Sequence, residues 1–182
     1  TALDFTENES GVAYTIVATD AAAITYSLGS GNDEASFILN GAEVSFVNSP
    51  DFETKASYTI NVVATDALNN EANQDVVITI IDVDEVAPVF TSATAVDFTE
   101  NTSGVAYTIA ATDDGEITYS LGSGNDEASF ILNGAEVSFV SSPDFETKAS
   151  YTINVIATDA AGNANNQNVV VTIIDVDEIA PT

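Results

Sequence analysis

Apolar and polar residues alternate with a period of two along much of the chain, the pattern of strands buried on one face. In the first half the alternating runs are 12–18 (Tyr14, Ile16), 24–28 (Ile24, Tyr26, Leu28), 37–39 and 44–47. They continue at 58–64 (Tyr58, Ile60, Val62) and 76–81 (Val76, Ile78, Ile80). Between the third and fourth runs, Asn40-Gly41 reads as a hairpin turn, since both residues tolerate positive φ. No segment carries a helical period with caps. Six or seven short strands with such turns predict an antiparallel β-sandwich.

The pattern then repeats. A shift of 93 residues lays the chain on itself, and residues 24–47 return unchanged as 117–140. Such self-similarity marks an array of structural units. The predicted fold is all-β: two tandem Greek-key β-sandwiches of the immunoglobulin-like type, end to end, over residues 1–87 and 88–182. Differences between the copies cluster at 21–23 against 114–116 and at 68–75 against 161–168, which read as loops by composition. Nothing before Thr1 matches residues 86–93. The first unit is therefore expected to have an incomplete N-terminal strand, and the chain to be part of a longer protein.

Composition narrows the chemistry. The chain has 182 residues, 45% of them hydrophobic, with a net charge of −27 and only two basic residues, Lys55 and Lys148. A surface this acidic repels nucleic acids and anionic membranes, so neither is an expected partner. Cysteine and histidine are absent, which removes thiolate chemistry, the commonest general base and the commonest zinc ligand. No apolar run approaches membrane-spanning length, so direct membrane insertion is not expected. An all-oxygen donor set remains, which suits hard cations and calcium above all.

Strand direction says where the acids gather. If successive strands run up and down, Glu7, Asp51, Glu53, Asp82, Asp84 and Glu85 fall at the lower end of the first unit. Asp113 and Asp159 fall at the upper end of the second, beside the linker. Like charges a few ångströms apart repel by about 1 kcal/mol per pair in water and about 4 at an effective dielectric near 20. Cations at this junction would remove that repulsion. The backbone carbonyls of Val83 and Val86 are further oxygen donors there. Asp33, Glu34, Glu43 and Glu9 show no such convergence and read as solvated surface.

These residues resemble tandem cadherin repeats, most closely the cadherin-like domains of large bacterial surface proteins. Thr6-Glu7-Asn8 is similar to the family's early Glu motif, and Pro50-Asp51-Phe52-Glu53 to its Asp-Arg-Glu motif. Ala18-Thr19-Asp20 and Ala64-Thr65-Asp66 resemble the two Asp-bearing loops at the top of a repeat. The run Asp82-Val83-Asp84-Glu85-Val86-Ala87-Pro88-Val89-Phe90 resembles the family's linker. The resemblance implies that Glu7, Asp51, Glu53, Asp82 and Glu85 serve ions nearer the first copy. It implies that Asp84, the Val86 carbonyl, Asp113 and Asp159 hold the ion nearer the second. The family's second Asp in the first top loop is Ala22 in one copy and Gly115 in the other, so two or three calcium ions are expected. Incomplete sites are expected at the outer ends, from Asp20 and Asp66 and from Glu100, Asp144, Glu146, Asp175, Asp177 and Glu178.

The function implied is a calcium-rigidified spacer and adhesion module of a larger extracellular, cell-surface protein of bacterial type. Its expected partners are neighbouring repeats of the same chain. A second reading is a calcium-dependent binding module for homophilic or polysaccharide recognition. Paired acids also occur in glycosidases, but here they fall in a repeated structural pattern without a substrate cleft. An enzyme is not expected.

Overall fold

The computed structural model describes residues 2–178. The chain forms two compact units, Thr1–Val83 and Asp84–Thr182. In unit 1 the strands are β1 (Ala2–Thr6), β2 (Val12–Thr15), β3 (Thr25–Leu28), β4 (Phe37–Asn40), β5 (Glu43–Phe46), β6 (Ser57–Thr65) and β7 (Glu71–Ile81). Unit 2 contains β8 (Val89–Phe90), β9 (Ala95–Thr99), β10 (Val105–Thr108), β11 (Ala111–Thr112) and β12 (Thr118–Leu121). It continues with β13 (Phe130–Asn133), β14 (Glu136–Phe139), β15 (Ser150–Thr158) and β16 (Ala164–Ile174).

Each unit is a two-sheet sandwich, as the alternation implies. In unit 1 a four-stranded sheet of order β1-β7-β6-β3 faces a three-stranded sheet of order β2-β5-β4. The core lies between them: Ile60, Val62, Val76, Ile78 and Ile80 from one sheet, Phe37 and Val44 from the other, and Ile16 just beyond β2. Unit 2 repeats this with sheets β12-β15-β16-β9 and β10-β14-β13, and adds the short pair β11-β8. Aromatic rings close one end of each core. Phe46 lies 4.4 Å from Phe37 and 5.0 Å from Tyr58, and Phe139 repeats this at 4.2 Å from Phe130 and 5.0 Å from Tyr151.

The structure departs from the sequence pattern in four places. First, residues 2–6 form a strand that runs parallel to β7, Ala2 opposite Val77 and Thr6 opposite Ile81. The sheets are thus not wholly antiparallel; the rest of the domain provides the long crossover that a parallel pair needs. Second, residues 71–75 and 164–168 are strand, not loop. They are mostly polar and exposed, Gln167 being partly buried, and their backbones continue the ladder to β6 and β15 down to Glu71–Thr65 and Ala164–Thr158.

Third, the β4–β5 turn is Gly41-Ala42, because Asn40 still pairs with Glu43. Only the first turn residue takes positive φ (61°), the arrangement that favours glycine at that position in a type II′ turn. Fourth, Asp33 and Glu34 are not merely solvated. β3 pairs only with residues 62–65 of β6, which leaves the lower edge of β6 open. Asp33 Oδ2 accepts the Thr59 amide at 2.8 Å, and Glu34 Oε1 accepts the Asn61 amide at 3.0 Å. Asp126 and Glu127 repeat this at Thr152 and Asn154, both at 2.9 Å. These carboxylates occupy an edge that would otherwise offer free amides to another strand.

Each lysine reinforces the edge cover. Lys55 pairs with Asp33 at 2.5 Å and lies 4.9 Å from the centre of the Tyr58 ring; Lys148 does the same with Asp126 and Tyr151. The Lys55 hydrogen bond, then the Thr59 amide, holds the Asp33 pKa below its ordinary 3.8, against the opposing effect of burial. Asp126 is lowered by the same causes. A carboxyl with a depressed folded-state pKa stabilises fully above its unfolded value and loses that contribution as pH falls through the folded one. The double variant Asp33→Asn, Asp126→Asn should therefore melt below the wild type at pH 7. The gap should close as pH drops below about 4, measured by thermal unfolding across pH.

Candidate metal centre

Three carboxylate trios form among the described residues, each within one unit. In every trio the contributed oxygens lie within 4.8 Å of one another.

The first is Glu7, Asp51 and Glu53, at the lower end of unit 1. Glu7 follows β1 directly, and its amide donates to the Ile81 carbonyl at 3.1 Å, so the end of β7 fixes its position. Its side chain is 1% exposed, which is costly for a carboxylate unless donors surround it. Two backbone amides do so: Phe52 donates to Oε2 and Val83 to Oε1, both at 2.7 Å. Glu7 thereby ties the start of the repeat to the Asp51 loop and to the linker. Asp51 is held from its own side by the Thr54 amide at 3.0 Å and the Thr54 hydroxyl at 2.9 Å, which lower its pKa.

The equivalent trio in unit 2 is Glu100, Asp144 and Glu146. Glu100 is likewise 1% exposed and accepts the Phe145 amide at 2.8 Å and the Val176 amide at 2.7 Å. Anion crowding is visible here. The hydrogen bond of its own backbone amide favours charged Glu146, but desolvation and the charges of Glu100 and Glu178 outweigh it and raise its pKa.

The third trio is Asp84, Asp113 and Asp159, at the upper end of unit 2. Asp159 is 6% exposed and sits in a tight loop. Its Oδ1 accepts the amides of Gly162 (2.6 Å) and Asn163 (2.8 Å), while Oδ2 accepts the Asn163 side-chain amide (2.9 Å). Burial pushes the Asp159 carboxyl up, but these donors outweigh it and hold its pKa below the ordinary value. The Asn163 side chain also donates to the Asp84 carbonyl at 2.7 Å, which brings the linker to the loop. Asp113 has a buried Oδ2 with no hydrogen-bond partner. A depression of about 290 Å³ lies beside it, lined by Asp84, Val86, Thr112, Asp113 and Asp114 among others.

Of the residues singled out in the sequence, Glu7, Asp51 and Glu53 thus meet in one set and Asp84, Asp113 and Asp159 in another. Asp82 and Glu85 are exposed in the linker and belong to neither trio. Val83 contributes its amide to Glu7, and Val86 donates its amide to Asp84 Oδ1 at 3.0 Å. Asp20 and Asp66 line a common depression on unit 1 with Asn70, which holds Asp66 as Asn163 holds Asp159. The sequence reading missed Asn70 and Asn163. Their signal was present as an Asn four residues after each of Asp66 and Asp159, the spacing of a side chain that closes an Asp-centred loop.

Set beside known proteins, the chain matches no protein-family model. It is 31% identical over 178 residues to human protocadherin Fat 1, across 88% of this chain, and 28% identical over 166 residues to mouse protocadherin Fat 4, across 84%. It spans only 4% and 3% of those two relatives. Among solved structures, the EC1-2 pair of human protocadherin-24 superposes with a TM-score of 0.71 at 20% identity, over 97% of this chain and 95% of that one. The EC22-24 segment of mouse cadherin-23 gives 0.62 at 24%, over 97% and 64%. The chain therefore has the all-β fold of cadherin extracellular domains.

The buried clamp has a direct test. Removing Glu7 leaves the amides of Phe52 and Val83 without their acceptor, and a lost buried partner costs about 1–3 kcal/mol. In chelator, Glu7→Ala should lower the urea stability of unit 1 by that amount, whereas Glu43→Ala should change it by no more than about 0.5 kcal/mol. Equal effects would mean that Glu7 does not hold these segments together.

Proposed function

We propose that this chain is a pair of calcium-binding, cadherin-type repeats, a spacer and adhesion module of a larger extracellular cell-surface protein of the bacterial surface type. The observation that carries the reading is the Asp84, Asp113 and Asp159 set, in which Asp113 Oδ2 is buried without a hydrogen-bond partner. A bare carboxylate oxygen shielded from water calls for a cation. The donors are all oxygens, and calcium accepts six to eight of them, carbonyls included, in flexible geometry. Magnesium requires a tighter octahedron and keeps its water, so it fits less well.

In this reading Glu7, Asp51 and Glu53, with Asp82, Glu85 and the Val83 carbonyl, serve one group of ions. Asp84, Asp113, Asp159 and the Val86 carbonyl serve another, for two or three calcium ions in all. Both sets draw on linker residues 82–86, so bound ions restrict the conformations of the chain that joins the repeats. The similarity to protocadherins supports an adhesion-type, extracellular role. The near identity of the copies favours a spacer, because a specific binding surface would tend to distinguish one repeat from the other.

A second reading, homophilic contact, has one observation in its favour. Val12 and Ile38 flank Ser45 on the outer face of the three-stranded sheet, 46% and 55% exposed, and Val105 and Ile131 repeat this apolar face. Calcium-dependent self-association in sedimentation would promote that reading; retention on polysaccharide would point to a carbohydrate ligand.

The spacer reading is tested by small-angle scattering. Calcium should lengthen the particle and narrow its distribution of dimensions relative to chelator, and unchanged dimensions would sink the rigid-spacer role. Glu53→Ala and Asp82→Ala should each weaken calcium binding at least tenfold, while Glu43→Ala leaves it unchanged.

A further inference from the structure

The core-facing side of β16 changes chemistry part-way along its length. Strand side chains alternate between faces. Val169, Val171 and Ile173, all buried, therefore share a face with Gln167, Asn165 and, just before the strand, Asn163. The lower part of that face closes the core of unit 2. The upper part carries three side-chain amides, and what lies against them is main chain.

Asn163 Nδ2 donates to the Asp84 carbonyl at 2.7 Å, and Asn165 Nδ2 to the Pro88 carbonyl at 3.0 Å. Gln167 Nε2 donates to the Ser92 and Ala93 carbonyls, both at 3.2 Å. Side-chain amides two residues apart thus hold carbonyls four residues apart, from Asp84 to the approach to β9. Each amide is itself oriented. Asn163 Nδ2 also donates to Asp159 at 2.9 Å, Asn165 Oδ1 accepts the Asn166 amide at 2.8 Å, and Gln167 Nε2 reaches the Tyr107 hydroxyl at 3.1 Å. The middle of the segment pairs through its backbone, Val89 opposite Thr112 and Phe90 opposite Ala111. Every one of these grips on the segment is a neutral donor on a carbonyl, or backbone pairing, so none requires a cation.

On the other side, the Val83 amide donates to Glu7 Oε1 at 2.7 Å, within unit 1. Two consecutive residues, Val83 and Asp84, are therefore anchored to different units, at the boundary where the units divide.

We propose that Asn163, Asn165 and Gln167 are positioning residues that seat residues 84–93 on unit 2 without metal, leaving the backbone torsions of Val83 and Asp84 as the pivot of the ion-free chain. The seating carries Asp84 to Asp113 and Asp159 before an ion arrives. The ordering cost of that ligand is then met in advance, which strengthens binding. The seating is independent of the calcium reading; its effect on calcium affinity rests on it.

The experiment is backbone nitrogen relaxation by NMR on the 182-residue chain in chelator. Residues 86–93 should be as rigid as β16, with order parameters of about 0.85, and lower values should be confined to residues 83–85. Asn165→Ala should bring Val86 and Ala87 below about 0.6 while leaving the unfolding midpoint of unit 2 unchanged. Asn165→Gln, which keeps the donor, should restore the rigidity. In calorimetric titration Asn165→Ala should weaken calcium binding by about threefold or more, although the hydrogen bonds of Asn165 go to main chain and to no carboxylate. The proposal is overturned if residues 86–93 of the wild type are mobile in chelator, or if Asn165→Ala leaves them as rigid as before. It is equally overturned if the wild type binds calcium and Asn165→Ala binds it with the same affinity. A wild type that is rigid at 86–93 but takes up no calcium would sink the calcium reading and leave the seating, read in chelator, supported.

Discussion

A carboxylate taken out of water must be met by donors or by a cation, and each repeat is organised around one that is. Glu7 and Glu100 are almost wholly buried, and each is satisfied by two backbone amides from segments far apart in sequence. One anion thereby fixes the start of the repeat, the Asp-Phe-Glu loop and the outgoing linker against one another. The cost is that further carboxylates, Asp51 and Glu53 or Asp144 and Glu146, are brought within ligand range of an anion that cannot move away. The raised pKa of Glu146 registers that crowding. Under the proposed reading, a divalent cation at each such point would relieve that crowding.

Hydrogen bonding separates two kinds of acid here. Asp33, Glu34, Asp126 and Glu127 are engaged by backbone amides along a strand edge and, for the two aspartates, by a lysine. Their negative charge is already compensated. Asp113 is the opposite case, a buried oxygen that no donor reaches. The bulk charge therefore overstates the acidity free to chelate, and among the described residues the buried side-chain oxygen without a donor is Asp113 Oδ2.

Much of this was legible in the sequence because it depends on period and direction. Alternation located β3 to β6 closely, and alternating strand direction placed Glu7 with Asp51 and Glu53, and Asp113 with Asp159. What escaped was structure held by backbone pairing instead of by buried side chains. Residues 71–75 carry no apolar face, yet they extend β7 because β6 offers a continuous ladder. Residues 2–6 lie parallel to a strand more than seventy positions away, which local pattern cannot register. Asp33 and Glu34 looked solvated because their partners are amides of Thr59 and Asn61, which leave no side-chain signature. Asn163 was missed because it acts on loop shape and not as a charge.

The central claim is that the paired acidic sets of this chain bind calcium as sites and do not merely attract counterions. The most direct measurement is calorimetric titration of calcium into metal-free protein at fixed ionic strength, read as a stoichiometry. Saturable uptake of two or three ions per chain is expected, with dissociation constants of about 10⁻⁴–10⁻³ M, as in extracellular modules, and with loss of at least one ion on Asp159→Ala. Heat that never saturates, or that vanishes when sodium chloride is raised without any change on Asp159→Ala, would contradict the account.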